Sequence, residues 1–282
     1  MLQLTPFEPV DYVVIGHLTK DLTPQGPRLG GTAAYSALTA RALGMRTGIV
    51  TTWAADVPLG PLQAIPIASY PSEASSTFEN VITPTGRLQY VRAIAPALDL
   101  YQVPEAWRSA PIVHLGPIAR EVPPGLARSF PSSLVCITPQ GWFRTWDSEG
   151  FVHHVEWPES RYVLEHVDAA VISVEDVDGD EERVAEMAAS CRVFAVTDGP
   201  AGSRVFWNGD VRKFQPPDVV EVDPVGAGDV FAAAFFTRLY QTRDPWEAGR
   251  FATQLSACSV QRPGFSGVPT ADEIASVSIE VY

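Results

Sequence analysis

The residues Gly226, Gly228 and Asp229 come directly before a helical segment whose apolar side chains recur every four residues, at Phe231 and Phe235. The start of a helix presents free backbone N–H groups and a partial positive charge, so this turn predicts a site for an anion such as phosphate. Asp229 could take a proton from an alcohol there while the N–H groups stabilise a transferring phosphoryl group. The turn indicates phosphoryl transfer to an alcohol, and a plain helix entry is the alternative.

The elements that position this turn are predicted from its flanks. The β-branched residues 219–222 predict a strand that leads into the turn, and the apolar helix follows from residue 230. We expect Gly228 to have backbone angles that glycine tolerates best. A β-branched side chain at this position would then close the anion site.

A second group of candidates lies near the N-terminus. The strand predicted at residues 12–15 is followed by a loop that carries Asp21, and ligands of open α/β sheets bind beyond such strand ends. A carboxylate there can accept hydrogen bonds from two neighbouring hydroxyls. Gly30 and Gly31 then open a helix of small residues, which lets a ligand approach the backbone. A solvated loop acid and a flexible turn are the alternatives.

Polar groups also follow two apolar runs in the second half of the chain. Glu175 and Asp176 follow the first run, and Thr197, Gly199 and Gly202 follow the second. The glycines allow close backbone approach, and the threonine hydroxyl can bond a phosphate. An acidic cluster that caps a helix and an ordinary hairpin turn are the alternatives.

Short unbroken apolar runs alternate with helical stretches from residue 111 onwards, which predicts a parallel sheet buried on both faces. Residues 78–82 and 87–92 predict instead a hairpin, with its turn at residues 83–86. Asn80 on the first of these strands is either a substrate contact or an exposed edge residue.

Residues 223–229, Asp-Pro-Val-Gly-Ala-Gly-Asp, resemble the D-T-x-G-A-G-D signature of the ribokinase-like (PfkB) carbohydrate kinases, with Pro224 in the place of the threonine. The resemblance covers most of the chain, in the order of the family. It implies an α/β fold, namely a ribokinase-like three-layer α/β/α sandwich with a mostly parallel central sheet and a small β lid. It also implies a single kinase domain over residues 1–282, with a short lid hairpin around residues 71–95.

The resemblance assigns a role to each candidate. Asp229 would be the general base, and the anion hole would be formed by the backbone amides of Gly226, Ala227, Gly228 and Asp229. The acceptor would be held by Asp21, Gly30, Gly31 and Asn80. ATP would be contacted by Thr197, Gly199, Gly202 and Thr253. Mg²⁺ would be ordered through Asp176 or Glu175, although the family has an Asn-x-x-Glu pattern where this chain has Ser173 and Asp176.

Composition narrows the class of protein. The 282 residues have 46% hydrophobic content and a net charge of −13, which indicates a folded protein and argues against nucleic acid or an anionic membrane as a partner. No apolar run approaches the roughly 20 residues that span a bilayer, and no signal peptide is evident. The three scattered cysteines favour reduced thiols in a cytoplasmic protein. The oligomeric state, monomer or homodimer, stays open.

The sequence therefore predicts an enzyme that moves the γ-phosphoryl group of ATP to a hydroxyl of a small sugar, polyol or nucleoside. The short lid and residues 16–21 favour an inositol-like polyol. The alternative is a catalytically weak or inactive ligand-binding protein on the same fold, which the residues at Pro224, Ser173 and Asp176 motivate.

Overall fold

The structure is a computed structural model that describes residues 7–83 and 86–278. The predicted turn at residues 83–86 includes Pro84 and Thr85, which lie outside the described residues. The short apolar runs form strands, as predicted, because β-branched and aromatic side chains fit a pleated surface that is buried on both faces. The strands are β1 (Tyr12–Ile15), β2 (Thr19–Thr23), β3 (Gly26–Gly30), β4 (Thr47–Trp53), β5 (Ile67–Pro71), β6 (Ser76–Thr83), β7 (Gly86–Ala93), β8 (Ile112–Leu115), β9 (Leu134–Ile137), β10 (Arg144–Trp146), β11 (Val152–His154), β12 (Ala169–Ser173), β13 (Val193–Thr197), β14 (Ser203–Trp207) and β15 (Asp210–Phe214).

Nine of these strands form the main sheet, in the order β15-β14-β13-β12-β9-β8-β1-β4-β5. The pairs from β13 to β5 are parallel, and the hairpin β14–β15 extends one edge in antiparallel pairing. The carboxyl ends of the parallel strands therefore meet at one edge of the sheet, where ligands of such folds bind.

The helices are α1 (Thr32–Ala42), α2 (Ser160–Leu164), α3 (Glu181–Ser190), α4 (Ala227–Thr242), α5 (Pro245–Ser259) and α6 (Ala271–Ser278). One apolar core packs α1, α4 and α5 against one face of the sheet, and a second core covers the other face. Asp180 caps α3, with its carboxylate accepting from the backbone N–H groups of Glu182 and Arg183. Within the described ranges, no helix has both the length and the apolar character needed to cross a membrane.

A second sheet of four strands, in the order β3-β2-β6-β7, contains the predicted lid hairpin as β6 and β7. It is larger than the sequence predicted, because residues 19–30 form two further strands of it. Asp21 was expected in a loop, and this expectation was wrong: Asp21 lies on β2, paired with Phe78 of β6. The side chains of Phe78 and Asn80, two residues apart, point to the same face of this sheet.

The hairpin β10–β11 was not predicted, and it adjoins the free edge of the second sheet. The backbone N–H of Val91 on β7 donates to the carbonyl of Gly150 at 2.8 Å, and Tyr90 forms an isolated bridge with Phe151. The segment that follows β9 is thus connected to the lid as well as to the main sheet.

The strand predicted at residues 219–222 is absent, and this prediction was wrong. These residues run as an irregular segment in which Val220 is 78% exposed, and the N–H groups of Val222 and Asp223 both donate to the carbonyl of Val260. Strand-forming side chains do not make a strand without ladder pairing, and the described residues include no strand partner for this segment.

Glu121 joins the carboxyl ends of β1 and β8. Its side chain is 2% exposed, and its carboxylate accepts hydrogen bonds from the backbone N–H groups of His17, Ile118 and Ala119 at 2.7–3.1 Å. These three donors would otherwise be buried without a partner, so the carboxylate stabilises the loops that border the ligand edge.

We expect Glu121→Gln to lower the free energy of unfolding by about 1–3 kcal/mol, because an amide replaces one acceptor oxygen with a donor that faces buried N–H groups. Urea unfolding followed by circular dichroism measures this loss. The exposed Glu105→Gln serves as the control and should unfold like the wild type. Equal stability of both variants would show that the hydrogen bonds of Glu121 make no net contribution to the free energy of unfolding.

Candidate active site

A cavity of about 730 Å³ lies where the carboxyl ends of the parallel strands, the second sheet and the start of α4 meet. Most of the site residues predicted from sequence line it. They are Asp21, Gly31, Asn80, Glu175, Asp176, Thr197, Gly199, Gly202, Gly226, Ala227, Gly228, Asp229 and Thr253. Gly30 lies just outside the lining, at the end of β3, where a side chain would meet the carboxylate of Asp21.

The start of α4 points at this cavity because of the conformation of Gly226. This residue caps the helix with φ 83°, and a Cβ atom there would overlap the ring of Tyr35. The special backbone angles that we predicted for Gly228 thus belong to Gly226 instead, since Gly228 lies within the first helical turn. A Cβ atom on Gly228 would meet open space.

Three of the four backbone N–H groups predicted for the anion hole are available to a ligand. The backbone N–H of Ala227 donates to the carbonyl of Pro224 at 3.1 Å. Within the described part of the chain, no acceptor is present for the N–H groups of Gly226, Gly228 and Asp229. These three groups can therefore donate to a ligand in the cavity.

Asp223 holds the turn in place from behind. Its carboxylate accepts from the backbone N–H of Val225 at 3.0 Å and from that of Gly264 at 2.9 Å. Asp223, the first aspartate of the motif, is therefore a structural link between the turn and the segment after α5, whereas Asp229, the last, lines the cavity.

Asp229 is half-buried at the base of the cavity. Desolvation raises the pKa of its carboxyl to about 6, although a hydrogen bond from Thr32 and the charge of Arg144 act in the opposite direction. A carboxylate of this pKa is ionised at neutral pH and is a stronger base than an ordinary aspartate. The site thus combines a proton acceptor with free N–H donors on one helical turn.

The acceptor candidates lie on the second sheet. Thr19 donates to Asp21 at 2.9 Å, which orients the carboxylate at the cavity wall. The side-chain amide of Gln89 on β7 donates to the side-chain oxygen of Asn80 at 3.0 Å, so both amides line the cavity as a pair. Gly31 caps α1 directly below them. Several hydrogen-bonding groups thus face one side of the cavity.

The donor candidates lie at the opposite end. Thr197 ends β13, and Gly199 and Gly202 follow it where the chain turns into β14. Thr253 on α5 is 3% exposed, and its hydroxyl is hydrogen-bonded to Ser203 at 2.7 Å and to the carbonyl of Gly249 at 2.7 Å. Its hydroxyl is therefore occupied within the protein, and only the surface of the side chain can meet a ligand.

The acidic pair predicted for Mg²⁺ also caps a short helix. The Asp176 carboxylate accepts from the backbone N–H of Ser173 at 2.8 Å, and the Ser173 hydroxyl accepts from that of Glu175 at 3.2 Å. Burial raises the pKa of Asp176 above its ordinary value. Of the residues that the structure describes, no three His, Cys, Asp or Glu side chains form a group that could hold a metal ion.

Sequence reasoning missed several residues that line the cavity: Thr32, Tyr35, Phe78, Gln89, Thr138, Gln140 and Arg144. Most lie on elements whose position depends on tertiary packing. Thr32 directly follows the Gly30-Gly31 pair, which was a usable signal. Gln140 and Arg144 lie in the segment after β9, where the chain has no motif of its own.

Comparisons with known proteins bear on this cavity. Residues 165–271 match the sequence model described as pfkB family carbohydrate kinase. Inositol 3-kinase of Zea mays is 27% identical over 73% of this chain, and the match spans about half of that protein, 53%. Inositol 3-kinase of Oryza sativa subsp. japonica is also 27% identical, over 93% of this chain and 70% of that protein.

Solved structures show the fold. A pyrophosphate-dependent kinase in the ribokinase family, complexed with a pyrophosphate analogue and myo-inositol, has a TM-score of 0.79 and 20% identity over 94% of this chain and 99% of its own. Arabidopsis thaliana ribokinase, complexed with ribose and ATP, has a TM-score of 0.71 and 18% identity over 95% and 98%. The structural neighbours confirm the predicted ribokinase-like α/β fold. The match over residues 165–271 supports the predicted resemblance to the PfkB carbohydrate kinases in that part of the chain.

The raised pKa of Asp229 predicts a pH dependence. Protonation below about pH 6 removes the base, so kcat/KM for phosphoryl transfer should fall by about tenfold per pH unit below that value and be level above it.

Asp229→Asn should lower kcat on the order of 10²–10⁴-fold and should not lower the free energy of unfolding, since it removes a desolvated charge. A flat profile down to pH 5, or a variant with near-normal kcat, would contradict the role of Asp229.

The two glycines of the turn predict opposite outcomes. Gly228→Val should unfold within about 1 kcal/mol of the wild type, since valine is no worse than glycine in a helix, yet its side chain would enter the cavity beside the N–H groups. The loss in kcat should be on the order of 10²–10³-fold. Gly226→Val should instead be strongly destabilised, because of its positive φ and the ring of Tyr35. A folded Gly228→Val variant with normal turnover would show that the turn is a plain helix entry and not an anion site.

Proposed function

We propose that this protein transfers the γ-phosphoryl group of ATP to a hydroxyl of a small polyol of the inositol type. The observation that carries the proposal is the arrangement of Asp229 and the free N–H groups of Gly226 and Gly228 on one turn that faces the cavity. Binding alone needs the N–H groups, whereas a base of raised pKa beside them is explained by deprotonation of an alcohol.

The chemistry follows from these positions. The acceptor hydroxyl gives its proton to the Asp229 carboxylate while its oxygen forms a bond to the γ-phosphorus of ATP. The bond from that phosphorus to the bridging oxygen breaks, and ADP leaves. The N–H groups of Gly226, Gly228 and Asp229 stabilise the negative charge on the oxygens of the transferring group, as preorganised donors do in other active sites.

The donor set near β12 fits Mg²⁺. This ion prefers oxygen ligands, keeps several waters, and is commonly held by one or two carboxylates together with substrate phosphates. Glu175 and Asp176 supply the carboxylates at the cavity wall, so a cluster of three protein ligands is not required. Mg²⁺ bound there would neutralise charge on the donor phosphates.

The acceptor end supports a polyol. Asp21, Asn80 and Gln89 place one carboxylate and two amides on the second sheet, and a compact ring with several hydroxyls offers both donors and acceptors to such a set. The relatives named inositol 3-kinase agree with this choice. A sugar or a nucleoside is a less favoured acceptor.

The shape of the donor end supports ATP. Val219, Val225 and Val260 also line the cavity, and apolar side chains of this kind suit a nucleoside and are not needed by pyrophosphate. The ribokinase complex with ATP agrees with this choice. Pyrophosphate is the second candidate donor, because the myo-inositol-bound structural neighbour is pyrophosphate-dependent.

A catalytically inactive binding protein on this fold is the alternative function. The different residues at Pro224, Ser173 and Asp176 motivate it, while the position of Asp229 argues against it. A single kinase domain, a cytoplasmic location and an oligomeric state of monomer or homodimer stay predictions.

The proposal predicts ADP release when the protein is given MgATP and myo-inositol, in a screen that includes sugars, nucleosides and pyrophosphate. Asp21→Asn should raise KM for the polyol and leave KM for ATP nearly unchanged; the lost bonds correspond to about 1.5–3 kcal/mol. Glu79→Gln is the matched control, since Glu79 lies on the same sheet but is paired with Arg92 outside the cavity.

Binding of polyol and nucleotide without turnover of any pair would favour the inactive binding protein. A shift of KM for ATP in Asp21→Asn, with KM for the polyol unchanged, would show that the acceptor and donor ends were assigned in reverse.

A further inference from the structure

The charges around the cavity are strongly one-sided. Among the lining side chains that the structure describes, six are carboxylates: Asp21, Glu175, Asp176, Asp218, Glu221 and Asp229. Only Arg144 in that set is cationic. A phosphoryl donor is itself a polyanion, so its entry and the build-up of charge in the transition state need compensating positive charge.

Arg144 is fixed in position by the main sheet and the lid together. It begins β10, directly after the short helix Pro139–Phe143, and its guanidinium donates to the carbonyl of Ile118 at 3.3 Å. The guanidinium also lies 5.9 Å from the ring centre of Phe78, at the outer limit of a cation–π contact. Phe78 pairs with Asp21 across β6 and β2, so Arg144 is next to the acceptor end.

The helix before Arg144 is held rigidly. The N–H of Gly141 donates to the carbonyl of Pro117 at 2.9 Å, and a Cβ atom on Gly141 would come within 2.6 Å of the backbone of Ile118. The indole of Trp142 donates to the carbonyl of Val122 at 2.9 Å and stacks on Trp157. A side chain carried by so fixed an element is preorganised for a specific contact.

The positive charge of Arg144 also acts on the carboxyl groups of the proposed reaction centre. This charge acts to lower the pKa of Asp229 and of Asp176, which line the same cavity. Arg144 is therefore close enough for its charge to act on Asp229, while its contact with Phe78 places it beside the strand that pairs with Asp21.

We propose that Arg144 is a further catalytic residue, whose guanidinium binds the oxygens of the phosphoryl group during transfer and of the phosphate ester that is formed. This role rests on the proposed function. The planar guanidinium can donate two parallel hydrogen bonds to such oxygens, which a lysine cannot reproduce. Asp229 accepts the proton in this reaction, and Arg144 stays charged throughout.

The test uses the full-length variants Arg144→Met and Arg144→Lys with MgATP and myo-inositol. Arg144→Met should lower kcat on the order of 10²–10³-fold, with a much smaller change in KM for myo-inositol, and Arg144→Lys should recover only part of the loss. Arg92→Met is the control: Arg92 also lies over an aromatic ring of the lid, Tyr90, but does not line the cavity, and kcat should stay within about twofold of the wild type.

Two readouts separate catalysis from a structural role. Guanidinium ion added to Arg144→Ala should restore part of kcat, whereas ammonium ion should not. The acid limb of the pH profile should move to higher pH in Arg144→Met and stay in place in Arg144→Lys, because only the methionine variant removes the charge near Asp229.

Normal kcat in Arg144→Met overturns the proposal, and so does a change confined to KM for myo-inositol. A loss of kcat that guanidinium does not restore, together with a lowered melting temperature in Arg144→Lys, would also overturn it in favour of a structural role. A wild-type protein that transfers phosphoryl groups to no acceptor overturns the proposed function itself, and the role of Arg144 with it.

Discussion

The positive φ of Gly226, held against the ring of Tyr35, decides where the start of α4 points. With another conformation of Gly226, the free N–H groups of the first turn would not face the cavity. Asp229, which lies on the same turn, would then also point away from it. Asp223 stabilises the same turn from behind through the backbone N–H groups of Val225 and Gly264. The catalytic geometry that we propose therefore depends on one left-handed backbone position, which glycine adopts without strain, and on the packing around it.

Electrostatics sets the second constraint. Burial raises the pKa of Asp229 to about 6, with smaller contributions from the charges of Asp176 and Asp21, and so favours a base. The carboxylates around the cavity also repel the phosphate donor. Helix N–H groups, Mg²⁺ and Arg144 are the sources of positive potential that offset this repulsion in our account. Asp21 lies on the second sheet beside Phe78, and Arg144 at the start of β10 contacts the same phenylalanine ring, so the cationic side chain is next to the acceptor candidates.

Much of the fold was predictable, because short buried strands and the residues 223–229 are local patterns. The failures share one physical cause. Residues 219–222 have strand-forming side chains but pair with no strand of the described residues. Asp21 lies on a strand because β6 pairs with β2 over a long sequence separation. Arg144 was not predicted as a site residue, because only tertiary packing brings the segment after β9 to the cavity. The importance of Gly226 over Gly228 depends on the side chain of Tyr35, which the local sequence does not reveal.

The central claim is that one helical turn supplies both the anion site and the base. A crystal structure of the protein with MgADP, aluminium fluoride and myo-inositol tests it most directly. The account predicts that the fluoride mimic of the phosphoryl group contacts the N–H groups of Gly228 and Asp229, with one inositol hydroxyl within about 3.2 Å of the Asp229 carboxylate. A mimic bound away from this turn, or a reactive hydroxyl closer to another carboxylate than to Asp229, would contradict it.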